Sequence, residues 1–360
     1  LAKDRQLRRT LGEALFEKAR SEFSLQRMKE DQEKIYRTLL RRHERKGTRR
    51  GAVLCGAYGK GNTGDEAILT AILASLRTVE EDMPFYVMSR DPKQTSKNHS
   101  VGSFYIFNMV KFVKALRRSR LFVSGGGTLI QDVTSSRSLY FYLMTLRIAR
   151  LCGAKVIMYG CGMGPVEKPF NRRLAARVLS KNAHRITVRD SGSEQFLQEI
   201  GVSGPAVERA ADPVVSLKPA GEDDVNRAFD EEGIPADVPM IGFCLRRWKT
   251  FTNTDAIVRA AEHAYRRWGL TPVFLAIEAP TDIEIGEAIG KQLSVPCYIC
   301  RKKHSVSQII GMLSHIKLMV GMRLHSLIFA AAGGTPMVGI SYDVKVSGFL
   351  HDCGDGTALQ

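Results

Sequence analysis

Residues 52–69 read AVLCGAYGKGNTGDEAIL. An apolar run, a glycine-rich turn and the start of an apolar-periodic helix follow one another, which is the opening of a β-α unit. Gly59, Gly61 and Gly64 spell G-x-G-x-x-G. That turn holds a dinucleotide pyrophosphate when a carboxylate for the ribose follows about twenty residues on. The surroundings argue against such a ligand. The next strand, FYVMS, ends at Arg90 and Asp91, beyond that distance. Asp65 and Glu66 suit a helix N-terminus, and they repel a pyrophosphate at the same place. Asn62 and Asp65 either order the loop, as in an Asx turn, or meet a sugar.

Outward from this unit, strand and helix patterns alternate. Strands are expected near 52–56, 84–89, 120–124, 155–160, 184–188 and 206–210, with helices at Glu66–Leu76, Met109–Leu116, Leu139–Leu151 and Arg172–Leu179. A break spans 212–238. The alternation then resumes, with strands near 239–244, 272–277, 317–320 and 336–340 and helices near 254–266, 282–292, 306–313 and 324–332. This is the signature of parallel, doubly wound sheets. The fold class is α/β: two Rossmann-like domains facing a cleft, similar to the layout of GT-B glycosyltransferases. The expected divisions are 1–47, 48–215 and 216–360. Residues 1–46 read as two helices closed by a basic linker.

Composition narrows the function. The 360 residues hold 44% apolar and 25% charged side chains, an ordinary globular balance. No apolar run of membrane-spanning length and no secretory signal is seen. Seven cysteines without a pairing pattern suit reduced thiols and a cytoplasmic setting. Cys297 and Cys300 form a C-x-x-C with His304 close behind, but they lie in VPCYIC, which reads as a strand. Buried cysteines, not a metal centre, are expected there. The net charge is +16, of which residues 1–50 supply +8. Such an excess suits nucleic acid, an anionic membrane surface or an anionic substrate, and for residues 1–50 a solvated basic helix face is the simpler reading.

Several charged residues fall at strand ends, where α/β folds bind ligands. Arg323 and His325 lie in GMRLHS, after LMV and before LIFAAA. Arg189 follows the strand in ITVRDS. Arginine suits bidentate carboxylate or phosphate binding, and histidine moves protons near neutral pH. Structural alternatives are helix capping at GMRLHS and a surface pair of Arg189 with Asp190. Gly125, Gly126 and Gly127 follow the strand LFVS and would let backbone approach a ligand. Asp132, just beyond, either orients an acceptor hydroxyl or caps a helix. Thr134, Ser135 and Ser138 are candidates for the same pocket. Arg246, Arg247 and Trp248 would form a cationic, aromatic wall facing a sugar, or an exposed basic turn. The basic patch RKKH at 301–304 either attracts an anionic glycan or is simply solvated.

The chain resembles the polysaccharide pyruvyl transferase family of the CsaB type. Besides GAYGKGNTGDEAIL, the stretches that carry the resemblance are LFVSGGGTLIQDVTSSRSLYFYL, YGCGMGPV, ITVRDSGSEQFLQEIGV, AADPV, IGFCLRRW and GMRLHSLIFAAAGGTPMVGISYDVKVSGFL, in the family's order between residues 51 and 350. The resemblance implies transfer from phosphoenolpyruvate to two hydroxyls of one sugar, giving a cyclic ketal and phosphate. It implies no cofactor and no nucleic acid. It makes His325 the general acid and Arg189 and Arg323 the donor clamps. The expected acceptor is a lipid-linked or polymeric bacterial cell-wall or capsule glycan, with an N-acetylmannosamine-containing one among the candidates, met at the inner membrane face. Residues 1–40 are similar to the closing helices of a family-4-type glycosyltransferase, which suggests a fusion. The end at HDCGDGTALQ suggests missing terminal helices. A nucleotide-sugar glycosyltransferase, with Asp343 as the only acid in view for a ribose, is the rival enzyme. A basic nucleic-acid- or membrane-binding module is the rival without chemistry.

Overall fold

The computed structural model describes residues 49–235, 237–247 and 254–353. The two expected N-terminal helices, Trp248 and residues 354–360 lie outside them.

The first sheet runs β1 (Ala52–Cys55), β2 (Phe85–Ser89), β3 (Gly102–Tyr105), β4 (Leu121–Gly125), β5 (Thr128–Ile130), β6 (Lys155–Met163), β7 (Arg185–Val188) and β8 (Ala206–Arg209). Its spatial order is β3-β2-β1-β4-β6-β7-β8, with β5 pairing β6 off this path, and every pairing is parallel. The second sheet has β9 (Met240–Cys244), β10 (Thr271–Phe274), β11 (Tyr298–Ile299), β12 (Ile316–Gly321) and β13 (Met337–Gly339), in the order β11-β10-β9-β12-β13 and again all parallel. The strands β1 (AVLC) and β9 (MIGFC) are buried along their whole length. Sheets covered on both faces need such continuous apolar strands.

The connecting helices are α1 (Thr63–Val79), α2 (Pro92–His99), α3 (Met109–Arg118), α4 (Ser136–Leu151), α5 (Pro169–Asn182) and α6 (Ser191–Glu199), then α7 (Glu222–Glu232), α8 (Thr254–Trp268), α9 (Thr281–Gly290), α10 (Val306–Ser314), α11 (Leu324–Ala332) and α12 (Val344–Asp352). The expected strands and long helices are present. Short elements outside the expected set are β3, β5, α2, α6 and α12. The break expected at 212–238 holds a 3-10 turn (Pro213–Ser216) and α7, whose first turn is acidic and which Gly233 ends at φ +68°.

Both sheets reverse their order at the first strand, between β1 and β4 and between β9 and β12. Ligands of open α/β sheets bind in the crevice beyond such switch points. The loops that open there carry Asn62, Gly125–Gly127, Arg246 and Arg323. One face of the first sheet lies under α3, α4 and α5, where Phe112, Leu139, Leu146 and Leu179 form the core. The other face shares a core with the second lobe: Ile68, Leu69 and Ile72 of α1 belong to the same cluster as Phe229, Met240, Ile310 and Phe329. The Thr63 amide also donates to the Ile277 carbonyl at 3.2 Å. Residues 50–360 thus form one compact unit with two sheets, and the expected cleft between separate domains has a floor of shared core.

Candidate active site

The glycine loop and the second lobe meet at Gly64. A Cβ built there would lie 2.2 Å from His325 Nδ1. Gly64 is a glycine because the imidazole occupies the space of a side chain. The loop uses its own donors and acceptors. Asn62 caps α1, accepting from the Gly64 and Asp65 amides at 2.9 and 3.2 Å. The Glu66 carboxylate accepts from the Gly59 amide at 2.7 Å. Amides that would cradle a pyrophosphate are thereby occupied, which gives the physical reason the fingerprint is not a dinucleotide site.

His325 stands one residue inside α11, and Arg323 holds the N-cap position without a side-chain cap bond. Burial pushes the imidazole down to about 4. Asp212 opposes that shift, while Arg189, Arg323 and Lys345 add to it. The ring is neutral at pH 7, and its Nε2 is buried without a hydrogen-bond partner.

Both arginine side chains are buried and held by carboxylates. Arg189 donates from Nη1 to Asp212 at 3.0 Å, its Nε lies 3.5 Å from Asp190 outside hydrogen-bond geometry, and Nη2 is 3.4 Å from Thr128 Oγ1. The pair is therefore not the exposed one the sequence allowed. Arg323 donates to Glu278 and Asp282, each at 2.5 Å. Asp282 is fixed in turn by the Ile277 and Glu278 amides at 3.0 and 2.9 Å. The Nε of each arginine is buried and makes no hydrogen bond, like His325 Nε2. Beside Arg189, Thr128, Gly162, Asp190, Gly192, Ser193 and Lys345 border a recess of about 250 Å³ between the lobes.

Asp65 faces the same region: its Oδ1 lies 3.5 Å from a Cβ built at Gly127. Burial raises its carboxyl to about 7. Lys60 and Arg189 work against the shift, and Glu66 and Glu278 add to it. Such a group can take or give a proton at neutral pH.

Other predicted residues have structural contacts. Asp132 accepts from the Glu167 amide at 2.7 Å, the Lys168 amide at 3.3 Å and Asn171 Nδ2 at 2.6 Å. Burial alone would raise this carboxyl, but these bonds outweigh it and hold it below the usual range. Its oxygens fasten the loop after β6; they do not cap the following helix α4, which Ser135 caps. Gly125 and Gly126 serve packing: Cβ atoms there would meet Ile72 and Ile68 of α1 at 2.3 and 1.9 Å. This packing accounts for both glycines, and among the three only Gly127 faces a carboxylate. Ser135 caps α4. Together with Thr134, Ser138, Lys60, Arg90 and Phe107 it borders a recess of about 420 Å³ beside the first switch point. Arg246 stacks on Tyr342 at 5.7 Å and donates to its hydroxyl at 3.2 Å, so tyrosine supplies the aromatic partner expected of Trp248. Asp343 caps α12 through the Lys345 amide at 3.1 Å, a local use that leaves the ribose reading without support.

His304 bonds Glu232 at 2.8 Å, not the cysteines, and burial pushes the Cys300 thiol up to about 12. Among the described residues no three His, Cys, Asp or Glu side chains gather closely enough for a metal ion. No described helix is long and apolar enough to cross a membrane.

Asp212, Glu278, Asp282 and Lys345 complete the site and were missed. Asp212 lies in AADPV, and Glu278 and Asp282 stand four apart at a helix start. Their spacing is that of ordinary caps, and only the tertiary fold brings them to the arginines.

Solved structures share the fold. HepE from Anabaena, in complex with UDP and glucose, superposes with TM-score 0.52 at 11% identity, covering 81% of each chain. MnaA from S. aureus, with UDP, gives 0.56 at 12%, covering 82% of this chain and 80% of that one. UDP-GlcNAc 2-epimerase from Methanocaldococcus jannaschii gives 0.59 at 10%, covering 85% and 87%. These likenesses establish the GT-B-like architecture. Among curated proteins no sequence matches significantly. The family model for polysaccharide pyruvyl transferase matches residues 62–344, from the cap of α1 to the first residue of α12. With the match spanning both switch points, the chain belongs to the polysaccharide pyruvyl transferase family and is a glycan-modifying transferase.

Proposed function

We propose that the protein transfers the pyruvyl unit of phosphoenolpyruvate to two hydroxyls of one glycan sugar, closing a cyclic ketal and releasing phosphate. The observation that carries this reading is the trio of buried nitrogens without a hydrogen bond: Arg189 Nε, Arg323 Nε and His325 Nε2. A small anion with a carboxylate and a phosphate offers acceptors to such a set. Its charge also acts on His325. Placed beside the two guanidiniums it offsets their field and favours the imidazolium, so binding loads the proton.

His325 then gives that proton to the methylene carbon, the π electrons forming the new C–H bond. The adjacent carbon becomes electrophilic, and the first sugar hydroxyl bonds to it and yields its proton to Asp65. The bond from that carbon to the phosphate oxygen breaks, with the electron pair leaving on phosphate, and the second hydroxyl oxygen closes the ketal. Asp65 passes the first hydroxyl's proton to the departing phosphate, and the second hydroxyl's proton restores His325. The recess bordered by Ser135, Phe107, Lys60 and Arg90 has the hydroxyls, aromatic edge and cations that suit a sugar carried on a phosphate, as in a lipid-linked N-acetylmannosaminyl glycan.

The test is phosphate release from phosphoenolpyruvate with and without lipid-linked N-acetylmannosaminyl acceptors. Acceptor-dependent release that falls by about 10³-fold or more in His325→Ala is expected for a lost proton donor. Binding of a nucleotide sugar with no release would replace this reading by glycosyl transfer.

A further inference from the structure

Half of the net charge lies in residues 1–50, and beyond them the basic residues are concentrated in one segment. Residues 101–185 contain fifteen Lys and Arg against two acidic residues, Asp132 and Glu167, a net +13. Asp132 is buried, so a single acid faces solvent in this segment. The rest of residues 51–360 is net −5.

The segment's three helices, α3, α4 and α5, cover the same face of the first sheet, as their shared core shows. Their outer sides therefore form one surface. On α4 the exposed positions include Arg137, Tyr140, Met144, Arg147 and Leu151, a stripe at steps of three and four, with Arg150 beside it. On α5 they include Phe170, Arg173, Arg177 and Lys181, and on α3 Val110, Lys111, Lys114, Arg117 and Arg118. Leu151 is 77% exposed, Val110 66% and Phe170 64%. Bulky apolar groups left in water among cations are an unsettled surface for a protein alone. The ion pairs of the segment engage only Arg120, Arg172 and Arg185 among the described residues, so the stripe's cations are not neutralised from within.

We infer that the α3–α4–α5 face docks on an anionic phospholipid bilayer. Cations on the stripe meet lipid phosphates, while Val110, Met144, Leu151 and Phe170 enter the headgroup boundary. The aliphatic members favour a bilayer over nucleic acid, since they offer no face for base stacking. The surface stands apart from the chemistry and does not depend on it. If the transferase reading holds, docking also serves it, because the recess of Ser135 and Phe107 opens at the N-terminal end of α4, where a lipid-borne sugar would arrive.

The experiment is co-sedimentation of the full chain with phosphatidylcholine vesicles, with and without about one-third phosphatidylglycerol. Partitioning about tenfold stronger onto the anionic vesicles is expected, weakened by salt. Arg147→Glu with Arg177→Glu should lower it about tenfold or more. Leu151→Ser with Phe170→Ser should remove the part that survives high salt. All four positions are exposed, and unchanged thermal melting confirms the fold of the variants. Equal binding to neutral and anionic vesicles, or no change in the charge-reversed variant, overturns the inference. A DNA oligonucleotide that binds as tightly as the vesicles and ignores Leu151→Ser and Phe170→Ser would assign the face to nucleic acid instead. Vesicle binding needs no turnover, so its failure is distinguishable from failure of the transferase reading.

Discussion

Gly64 has ordinary backbone angles and is needed for space alone, because His325 stands where its Cβ would be. Gly64→Ala must move the imidazole or the loop. A displacement of about 1 Å in a reacting group can cost about 10²-fold. We expect kcat/KM for phosphoenolpyruvate to fall by about that factor, with a smaller change in thermal midpoint, read by phosphate release and calorimetry on the same sample. Asp65→Asn keeps the shape and removes the proton acceptor. About 10²-fold or more should be lost from kcat at saturating donor. Asp65 was legible in the sequence as a charge at a helix start. Its raised carboxyl was not, because burial beside Gly127 comes from the other chain segments packed around it.

At the scale of elements, α1 begins where Asn62 caps it and the loop after β6 is fastened by Asp132. Asn62→Ala should destabilise by about 1 kcal/mol, the usual worth of a cap. Asp132→Ala strips three donors of their partner and should cost about 2–3 kcal/mol in urea unfolding. If Asp132 only fastens the loop, Asp132→Asn should leave the KM for acceptor within about twofold, because the amide keeps one of the accepted bonds. A larger acceptor-specific rise would return it to the sugar site. The two readings weighed for this residue were equal in the sequence, since a carboxylate after a glycine strand end suits both. The contacts that bear on the choice, from the Glu167 and Lys168 amides, come from a loop more than thirty residues on.

For the molecule as a whole, two buried groups pull stability in opposite directions with pH. His325 is held at about 4 against 6.5 when unfolded, so the unfolded chain takes up the proton first as pH falls. Its contribution is complete above pH 6.5 and lost toward pH 4, about 3 kcal/mol in all. Asp65 is raised to about 7, so its contribution is present at low pH and lost as pH rises from about 4 to 7. Residual solvent contact brings that to about 2 kcal/mol. Denaturant unfolding between pH 4 and 8 should be nearly flat in the parent with respect to these groups. His325→Gln should lose stability only toward high pH, and Asp65→Asn only toward low pH. Parallel curves for all three proteins would refute both assignments. The sequence by itself determined the parallel α/β alternation, the placing of Arg189, Arg323 and His325 at strand ends and the family to which the chain belongs. These follow from local periodicity and from collinear motifs, which need no partner. Only the tertiary structure decided that the lobes share one core, that Asp212, Glu278 and Asp282 hold the arginines, and that the basic excess gathers on one helical face. Those depend on which distant segments meet, and meeting is set by the packing of both sheets around α1 and α11.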